Sequence, residues 1–266
     1  MHTPSNEAPD PGTLPEAAPD GIEIRQLTDA DEMHVVGEVF QQVWGSSTDL
    51  VRHEMLVAIA HAGGYVVGAF DTTRSSHDGR PGEIVGASVA LLANHEGRPA
   101  LHSHVTGILP GARSGGLGRT MKMHQRAWAV ERDIEWIVWT FDPLVRRNAW
   151  FNIALLGADV HEYLPDFYGT MTDVINAGDV SDRLLMAWST AGDVPAADAH
   201  GAVRDGSDVT DPLLIPTPED IVTLRRTDPV AVARWRADTR TALTEALDAG
   251  HSVVGFTRDG NYVVRR

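Results

Sequence analysis

The chain has 266 residues, enough for one large domain or for one domain with an appendage. Its hydrophobic content of 42% suffices for a packed core, whereas its formal net charge of −15 argues against nucleic acids and anionic membranes as main partners. Cysteine is absent, which excludes disulfides and a cysteine nucleophile, and no apolar run approaches the roughly 20 residues of a membrane span, so a cytoplasmic location is expected.

The first 21 residues are rich in proline, alanine and acidic residues, and they are predicted to form a disordered tail. A strand at 22–27 follows, and then a helix that begins near Thr28 and carries apolar residues at helical spacing. The elements predicted next are, in chain order, a helix at 49–61 and strands at 65–70, 84–92 and 101–109, with a polar loop at 71–82. This half of the chain has the pattern of a mixed α/β domain.

A glycine-rich turn links the strand at 101–109 to a helix predicted at 119–132. Glycine lets the backbone approach a ligand and adopt positive φ, and the first amides of a helix lie at the positive end of its dipole. The turn is therefore predicted to bind an anion such as phosphate. It matches neither the P-loop nor the dinucleotide fingerprint, and its pattern is Arg113-Ser-Gly-Gly116-Leu-Gly118. The alternative is an ordinary strand-to-helix turn.

The second half begins with an apolar strand at 134–141, which ends at Asp142-Pro143 because proline cannot donate to the ladder. The elements predicted after it are a helix at 144–156, strands at 160–164 and 184–188, a linker at 191–211, helices at 218–224 and 229–249, and a hairpin of strands at 253–256 and 262–264. The extension at 212–266 is too small to be expected to fold alone, so it is predicted to pack on the body or on a second subunit, as in a homodimer.

The Arg-x-x-Gly-x-Gly pattern, set between a strand and a helix, resembles the acyl-CoA loop of the GNAT superfamily of N-acyltransferases. The order of elements over residues 22–190 is also similar to that family. A narrower similarity is to a GNAT branch with His-Ser-His before the loop, here His102–His104, and Trp-Thr-Phe-Asp-Pro-Leu after it, here Trp139–Leu144. The resemblance implies an α/β (α+β) fold with a mixed central sheet splayed at the acyl-CoA site, helices on both faces, and a small C-terminal α/β extension.

The resemblance further implies an acyl-CoA-dependent N-acyltransferase that passes its acyl group directly to the amine of a small molecule, for example an amino acid. Acetyl-CoA is the default donor, another acyl-CoA such as succinyl-CoA is the alternative, and no metal is implied. The residues that the resemblance places at the cofactor are Ile108, Leu109, Arg113, Ser114, Gly115, Gly116, Leu117, Gly118, Arg119 and Thr120 of the loop region, with Asn148 and Asn152 of the following helix. Lys122 and Arg126 are predicted to contact either the CoA phosphates or water only.

Two histidines on the strand before the loop are candidate general bases, because an imidazole with a pKa near 6.5 can accept a proton at neutral pH. Strand alternation predicts one shared face for four residues, namely His102, His104, Thr106 and Ile108. The alternative is a pair of structural histidines. Metal binding by His-x-His would require a nearby carboxylate, and residues 105–111 contain none.

The general acid is harder to assign, because the tyrosine that many GNAT enzymes carry in the helix at 144–156 is Ile153 here. Tyr168 and Tyr163 are the remaining candidates, with core packing as the alternative. Asp142 is predicted to orient a histidine or bind the substrate amine, or else to be a turn residue. The missing tyrosine also leaves a non-catalytic acyl-CoA sensor, or a protein that acts only through interactions of its extension, as alternatives to an enzyme.

Overall fold

The computed structural model describes residues 19–45, 50–75, 81–113, 115–169, 179–194 and 202–266. Almost all of the predicted tail lies outside these ranges, as do Ser114 of the glycine loop and residues 195–201 of the predicted linker. Within the described ranges, no helix is both long enough and apolar enough to cross a membrane.

The secondary structure follows the predicted order of elements. Its strands are β1 (Ile22–Gln26), β2 (Tyr65–Ser75), β3 (Pro81–His95), β4 (Arg98–Ile108), β5 (Trp136–Phe141), β6 (Asp159–Leu164), β7 (Arg183–Ser189), β8 (Leu213–Pro216), β9 (Ser252–Phe256) and β10 (Asn261–Arg265). Its helices are α1 (Met33–Trp44), α2 (His53–His61), α3 (Leu117–Val130), α4 (Arg146–Ala149), α5 (Ile221–Thr227) and α6 (Pro229–Asp248), and α4 continues as a π-helix over Trp150–Leu155.

The central sheet has the strand order β1-β2-β3-β4-β5-β7-β6. Its neighbouring strands pair antiparallel except for β4 and β5, which are parallel. The β4–β5 pairing covers only Ala100–His102 against Trp136–Val138, and beyond it the two strands have no ladder between them in the described part of the chain. The predicted fold class, a mixed sheet that is splayed at its centre, is therefore confirmed.

Helices cover both faces of this sheet. On the α1–α2 face, these two helices pack on β2 and β3 through a cluster that includes Phe40, Leu56 and Val89. On the α3 face, Met121 and Trp128 of α3 belong to a second cluster, which continues into the C-terminal extension. The two faces have different neighbours, and this difference decides the surroundings of each residue of β4.

Some element boundaries differ from the predictions. Of the segment predicted as a polar loop at 71–82, the described residues 71–75 and 81–82 are strand, and Arg74 and Glu83 form an ion pair at 2.8 Å. The N-terminus of the first helical segment is capped by Asp29, whose carboxylate accepts from the following turn, rather than by Thr28. Strand β8 was not predicted, because four residues that end in proline carry too little alternation.

The C-terminal extension packs on the body. Strands β8, β10 and β9 form a separate antiparallel sheet. The buried Tyr262 donates its hydroxyl to the carbonyl of Pro143 at 2.6 Å. Leu243 of α6 and Phe256 of β9 belong to the same hydrophobic cluster as the α3 face. The extension and the body thus share one continuous core.

Candidate functional site

The splay between β4 and β5 begins next to a β-bulge in β4. Val89 of β3 faces Val105, and the next residue, Ala90, faces Ser103, so His104 is the extra residue that has no cross-strand partner on β3. A bulge bends its strand and re-aims the side chains on either side of it. The bulge also shifts the alternation of β4 by one residue. Side chains after His104 therefore lie on the face opposite to the one that regular alternation predicts.

Cross-strand partners share a face of the sheet, so the register shows where each β4 side chain lies. His102 faces Leu91 of the α1–α2 face, whereas Thr106 faces Ser88 on the α3 face, and their hydroxyls are 2.8 Å apart. Ile108 also packs on the α3 cluster. The prediction that all four residues share one face is therefore wrong for Thr106 and Ile108, because the bulge at His104 interrupts the alternation.

The two histidines remain neighbours despite the bulge. Their ring centroids are 6.2 Å apart, with His104 exposed and His102 half-buried. Desolvation lowers the pKa of both rings, and for His102 the nearby charges of His104 and Lys122 lower it further. Both imidazoles are therefore neutral at pH 7, which is the form that accepts a proton from an amine.

Beyond their last paired residues, His102 and Val138, the two strands separate, and we call the separated parts the β4 arm and the β5 arm of the splay. The β5 arm carries a pair of hydroxyl groups on the α1–α2 face, the face on which the histidines lie. Val138 pairs with His102, so Thr140, two residues further along β5, lies on the α1–α2 face as well. The Tyr168 hydroxyl lies 3.1 Å from Thr140 Oγ1, and 45% of this tyrosine is exposed. The guanidinium of Arg183 lies 5.2 Å from its ring centroid. Tyr168 is thus an accessible phenol on the arm opposite the histidines.

Tyr163, the other candidate acid, has a structural position. Its hydroxyl is buried and donates to Asp182 at 2.6 Å, and Arg240 of α6 binds the same carboxylate. Burial and the hydrogen bond to Asp182 raise the pKa of Tyr163 well above its ordinary value. Ile153, which occupies the usual tyrosine position, is 1% exposed and packs in the core. Tyr168 is therefore the better placed of the two predicted tyrosines.

Asp142 has the local contact of a turn residue, which was one of the predicted alternatives, and two arginine partners that were not predicted. It is 7% exposed, and Arg236 binds its Oδ1 at 2.7 Å and its Oδ2 at 3.0 Å. The backbone amide of Leu144 also donates to Oδ1, at 2.9 Å, and Arg225 binds Oδ2. Burial raises the pKa of Asp142, but the hydrogen bonds and charges of these arginines outweigh burial and hold the pKa below its usual range. Asp142 thus anchors the extension, and its oxygens are not turned toward a histidine.

The glycine loop ends in an open helix N-terminus. Gly115 and Gly116 have φ values of 87° and 80°, in the left-handed region that favours glycine, and a Cβ built on either one would meet no atom within 4 Å. Gly116 is the N-cap of α3, and no side chain caps the helix. The first helical hydrogen bond runs from Thr120 N to Gly116 O at 3.1 Å, so the amides of Leu117 and Gly118 precede it. This geometry can receive an anion on backbone amides.

The side chains of the loop mostly support its shape. Arg113 Nε donates to the Ile108 carbonyl at 3.1 Å, and Thr120 Oγ1 donates to the Gly116 carbonyl at 3.3 Å. Leu117 is 2% exposed and packs in the core. A ligand at this loop would therefore be held chiefly by backbone amides.

The other residues predicted at the cofactor contribute in different ways. Leu109 packs on the α1–α2 cluster, and its amide donates to Val85 at 2.9 Å. Asn152 is buried in the π-helix, while Asn148 in α4 and Arg119 in α3 are half-buried. Ser114 lies outside the described residues. The wide π turn is of interest because such turns often occur near functional sites.

Lys122, the chain's only lysine, lies at the vertex of the splay. Its side chain rises from α3, and Nζ donates to Ser103 Oγ on β4 at 2.7 Å and to Gln125 at 3.2 Å. The same Nζ lies 4.1 Å from the ring centroid of Trp139 on β5. Ser103 and Trp139 directly follow the last paired residues of β4 and β5, so Lys122 bridges the arms where they separate. The sequence predicted that Lys122 contacts either the CoA phosphates or water only. Its amine instead contacts Ser103, Gln125 and Trp139 inside the protein.

Lys122 is expected to make stability depend on pH, because burial lowers its pKa to about 7. Below pH 7 the Lys122 ammonium is charged in both the folded and the unfolded chain, so the full cost of burying the charge lowers the free energy of unfolding. Between about pH 7 and 10.5 the unfolded chain binds a proton that the folded chain does not, so stability rises with pH. From pH 7 to pH 9, the free energy of unfolding should rise by about 2 kcal/mol more in the native protein than in Lys122→Met. Urea denaturation at both pH values measures this difference, and equal increments would contradict it.

Two cavities lie near the sheet. One of about 450 Å³ adjoins the glycine loop and is lined in part by Leu109, Pro110 and Leu117. A larger one of about 880 Å³ lies between β6 and the extension, and its lining includes neither His102 nor His104. The larger volume is thus separate from the splay, where the histidines lie on β4 and Tyr168 lies beside β5.

No family model matches the sequence, and no curated protein matches it either. Solved structures do match. Arabidopsis thaliana NAA60, in complex with a bisubstrate analogue, is 12% identical with a TM-score of 0.50, over 63% of this chain and 97% of that one. YncA from Salmonella typhimurium, with acetyl-CoA, is 16% identical with a TM-score of 0.49, over 68% and 99%. A GNAT family acetyltransferase from Elizabethkingia anophelis, with acetyl-CoA bound, is 12% identical with a TM-score of 0.47, over 64% and 99%. Together with the splayed sheet and the glycine loop, the likeness to NAA60 shows that the chain has the GNAT fold.

Proposed function

We propose that this protein is an acyl-CoA-dependent N-acyltransferase, with acetyl-CoA as the default donor, that acylates the amine of a small molecule. The observation that carries the proposal is that β4, which separates from β5 beyond His102, carries an exposed histidine at a bulge and leads into an uncapped, glycine-rich helix N-terminus. These features supply two of the requirements for amine acylation from a thioester, a proton acceptor and a place to hold the CoA phosphates.

In the proposed reaction the CoA pyrophosphate lies on the amides at the start of α3. The thioester lies along residues 103–108 of β4, whose β5-facing edge has no ladder partner among the described residues. A free amide on this edge can stabilise the oxyanion. The amine attacks the carbonyl carbon as His104 takes its proton, and the C–S bond then breaks. The departing thiolate receives a proton from Tyr168 or from water, which gives the amide and free CoA.

The acceptor is proposed as a small amine, for example an amino acid. The net charge of −15 favours cationic acceptors, which amines are at neutral pH. A peptide is the alternative acceptor class; solved neighbours include both the NatC complex bound to Gag peptide and CoA and a phosphinothricin acetyltransferase. A panel of amino acids, polyamines and N-terminal peptides, read by release of free CoA, distinguishes these classes. Turnover with peptides alone would overturn the small-molecule assignment.

A non-catalytic acyl-CoA sensor is the second candidate, and Ile153 favours it because this core residue replaces the usual tyrosine acid. Acetyl-CoA binding in calorimetry without CoA release from any amine would support the sensor. Absence of acetyl-CoA binding would leave a role in protein interactions for the extension.

Gly116→Val is expected to weaken acetyl-CoA binding by about tenfold or more, because its side chain would enter the open space at the start of α3 and prevent close approach of the pyrophosphate. Calorimetry on the folded variant measures the effect. Gly45→Val is the matched control, since Gly45 also has positive φ and open space but caps α1, away from the loop. Equal affinity of the native protein and Gly116→Val would refute the phosphate site.

A further inference from the structure

A cluster of three side chains lies away from the splay, at the tip of the β3–β4 hairpin. Each of His95, Glu96 and His161 can offer one metal-ligating atom, and these atoms all lie within 4.8 Å of one another. His161 Nε2 is 3.8 Å from Glu96 Oε1, and the ring centroids of the two histidines are 4.7 Å apart. Ligand atoms around a tetrahedral zinc ion are about 3.4 Å apart, given bonds of about 2.0–2.2 Å. Small rotations of the exposed Glu96 and His161 side chains would bring the ligand atoms from within 4.8 Å of one another to this spacing.

The backbone around the cluster directs its side chains toward one another. His161 is the extra residue of a bulge in β6, because Val160 faces Met186 and Glu162 faces Leu185. The bulge leaves His161 without a cross-strand partner and free to turn toward the hairpin. Glu96 has φ +51°, a conformation that glutamate rarely adopts and for which glycine or asparagine is the usual choice in a tight turn.

The third ligand is held in place. His95 is 8% exposed, and its ring packs edge-on against Trp136 with centroids 5.3 Å apart. An imidazole held in place by packing is a suitable metal ligand, and the second imidazole and the carboxylate complete a set typical of zinc.

We propose that His95, Glu96 and His161 form a binding site for one divalent transition metal ion of the zinc class, with solvent in the remaining coordination position. The ligand set of two imidazoles and one carboxylate suits Zn²⁺ and Co²⁺ and is poor for Mg²⁺ and Ca²⁺, which prefer oxygen ligands. The site joins the β3–β4 hairpin to the edge strand β6, although β5 and β7 lie between β4 and β6 in the sheet. Its role is to fasten the paired end of the splay, at the opposite end of β4 from the glycine loop.

The test is a titration of the metal-free full-length protein with Zn²⁺ and with Co²⁺. We expect one zinc ion to bind with micromolar affinity and to raise the melting temperature by several degrees, and bound Co²⁺ to show the visible absorption of low-symmetry nitrogen and oxygen coordination. His161→Ala and Glu96→Gln should each reduce zinc affinity at least tenfold. Glu96→Asn should remove the zinc-dependent shift and also raise the melting temperature of the metal-free protein, because asparagine tolerates positive φ better.

Two controls separate this site from other histidines. His34→Ala removes one member of the stacked pair His34–His53, whose rings are 3.9 Å apart, and His61→Ala removes an exposed histidine of α2. Both controls should bind zinc like the native protein. Absence of saturable zinc binding by the native chain would overturn the proposal, and so would zinc affinity that is unchanged in Glu96→Gln, a surface variant that does not disturb folding.

Discussion

Arg236→Ala is expected to lower the free energy of unfolding by about 3–5 kcal/mol, because it leaves buried carboxylates without their main counter-ion. Arg236 is 2% exposed and binds both Asp142 of the body and Asp179. Arg225 also contacts both carboxylates, so the native cluster has two positive and two negative charges. Removing the Arg236 guanidinium takes away hydrogen bonds and positive charge from both buried carboxylates.

Chemical denaturation measures this loss, and Arg234→Ala is the matched control. Arg234 lies on the same helix, but its side chain is 85% exposed and pairs with the surface residue Asp238 at 3.8 Å. Its removal should change the free energy of unfolding by less than about 0.5 kcal/mol. Limited proteolysis gives a second measurement, since a loosened extension should be cleaved faster within residues 191–211. Equal stability of the two variants would show that the ion cluster does not hold the extension.

Two carboxylates bound by arginines of the extension, Asp142 of this cluster and Asp182 beside Arg240, predict how acid affects the extension. Arginine partners hold the pKa of Asp142 and of Asp182 below its ordinary value against the opposing effect of burial. A carboxylate with a lowered folded-state pKa adds stability that is complete above its unfolded value, near 3.8, and is lost as the pH falls through the folded value. The extension should therefore stay attached at pH 5 and loosen only in stronger acid.

Local patterns predicted much of this fold. The glycine loop, the start of α6 at Pro229 and the hairpin at the C-terminus depend on residues that are close together in sequence. Asp142 is different, because its partners Arg225 and Arg236 are 83 and 94 residues away. Asp-Pro reads locally as a turn, and nothing near it indicates that two arginines of a later helix pair will bind its carboxylate.

The bulge at His104 also escapes local prediction. A bulge is a property of the register between two strands, and regular alternation was the only rule available from β4 alone. Lys122 carried a signal that could have been used, since it is the only lysine among 22 basic residues. Spacing along α3 could not show that its amine lies under Ser103 and Trp139 rather than in solvent.

The bulge at His104 and the contacts of Lys122 give the two faces of β4 different roles. On the α3 face, Lys122 contacts both arms at the vertex, Ser103 on β4 and Trp139 on β5. On the α1–α2 face, His102 and the bulged His104 lie on the β4 arm, and Tyr168 lies beside Thr140 of the β5 arm. The proposed chemistry therefore takes its proton acceptor from the α1–α2 face, while the α3 face carries the contacts at the vertex.

His104→Ala is expected to lower turnover by roughly 10²-fold or more, as loss of a general base usually does, while acetyl-CoA affinity stays the same because the glycine loop is intact. Desolvation lowers the pKa of His104 below 6.5, so the imidazole becomes protonated only in mild acid. Turnover of the native protein should therefore fall on the acidic side below that value, and this limb should be absent in the variant. CoA release across pH 5–9 measures both effects.

Three further variants test which side chains near the splay carry the chemistry. His61→Ala, which removes an exposed histidine of α2, should turn over like the native protein. Tyr168→Phe should reduce turnover less than His104→Ala if water can supply the leaving-group proton, whereas Tyr163→Phe should act on stability through Asp182. If His104→Ala kept near-normal turnover while Tyr168→Phe abolished it, the proton transfers would depend on the aromatic loop, and the assignment of His104 as the base would be wrong.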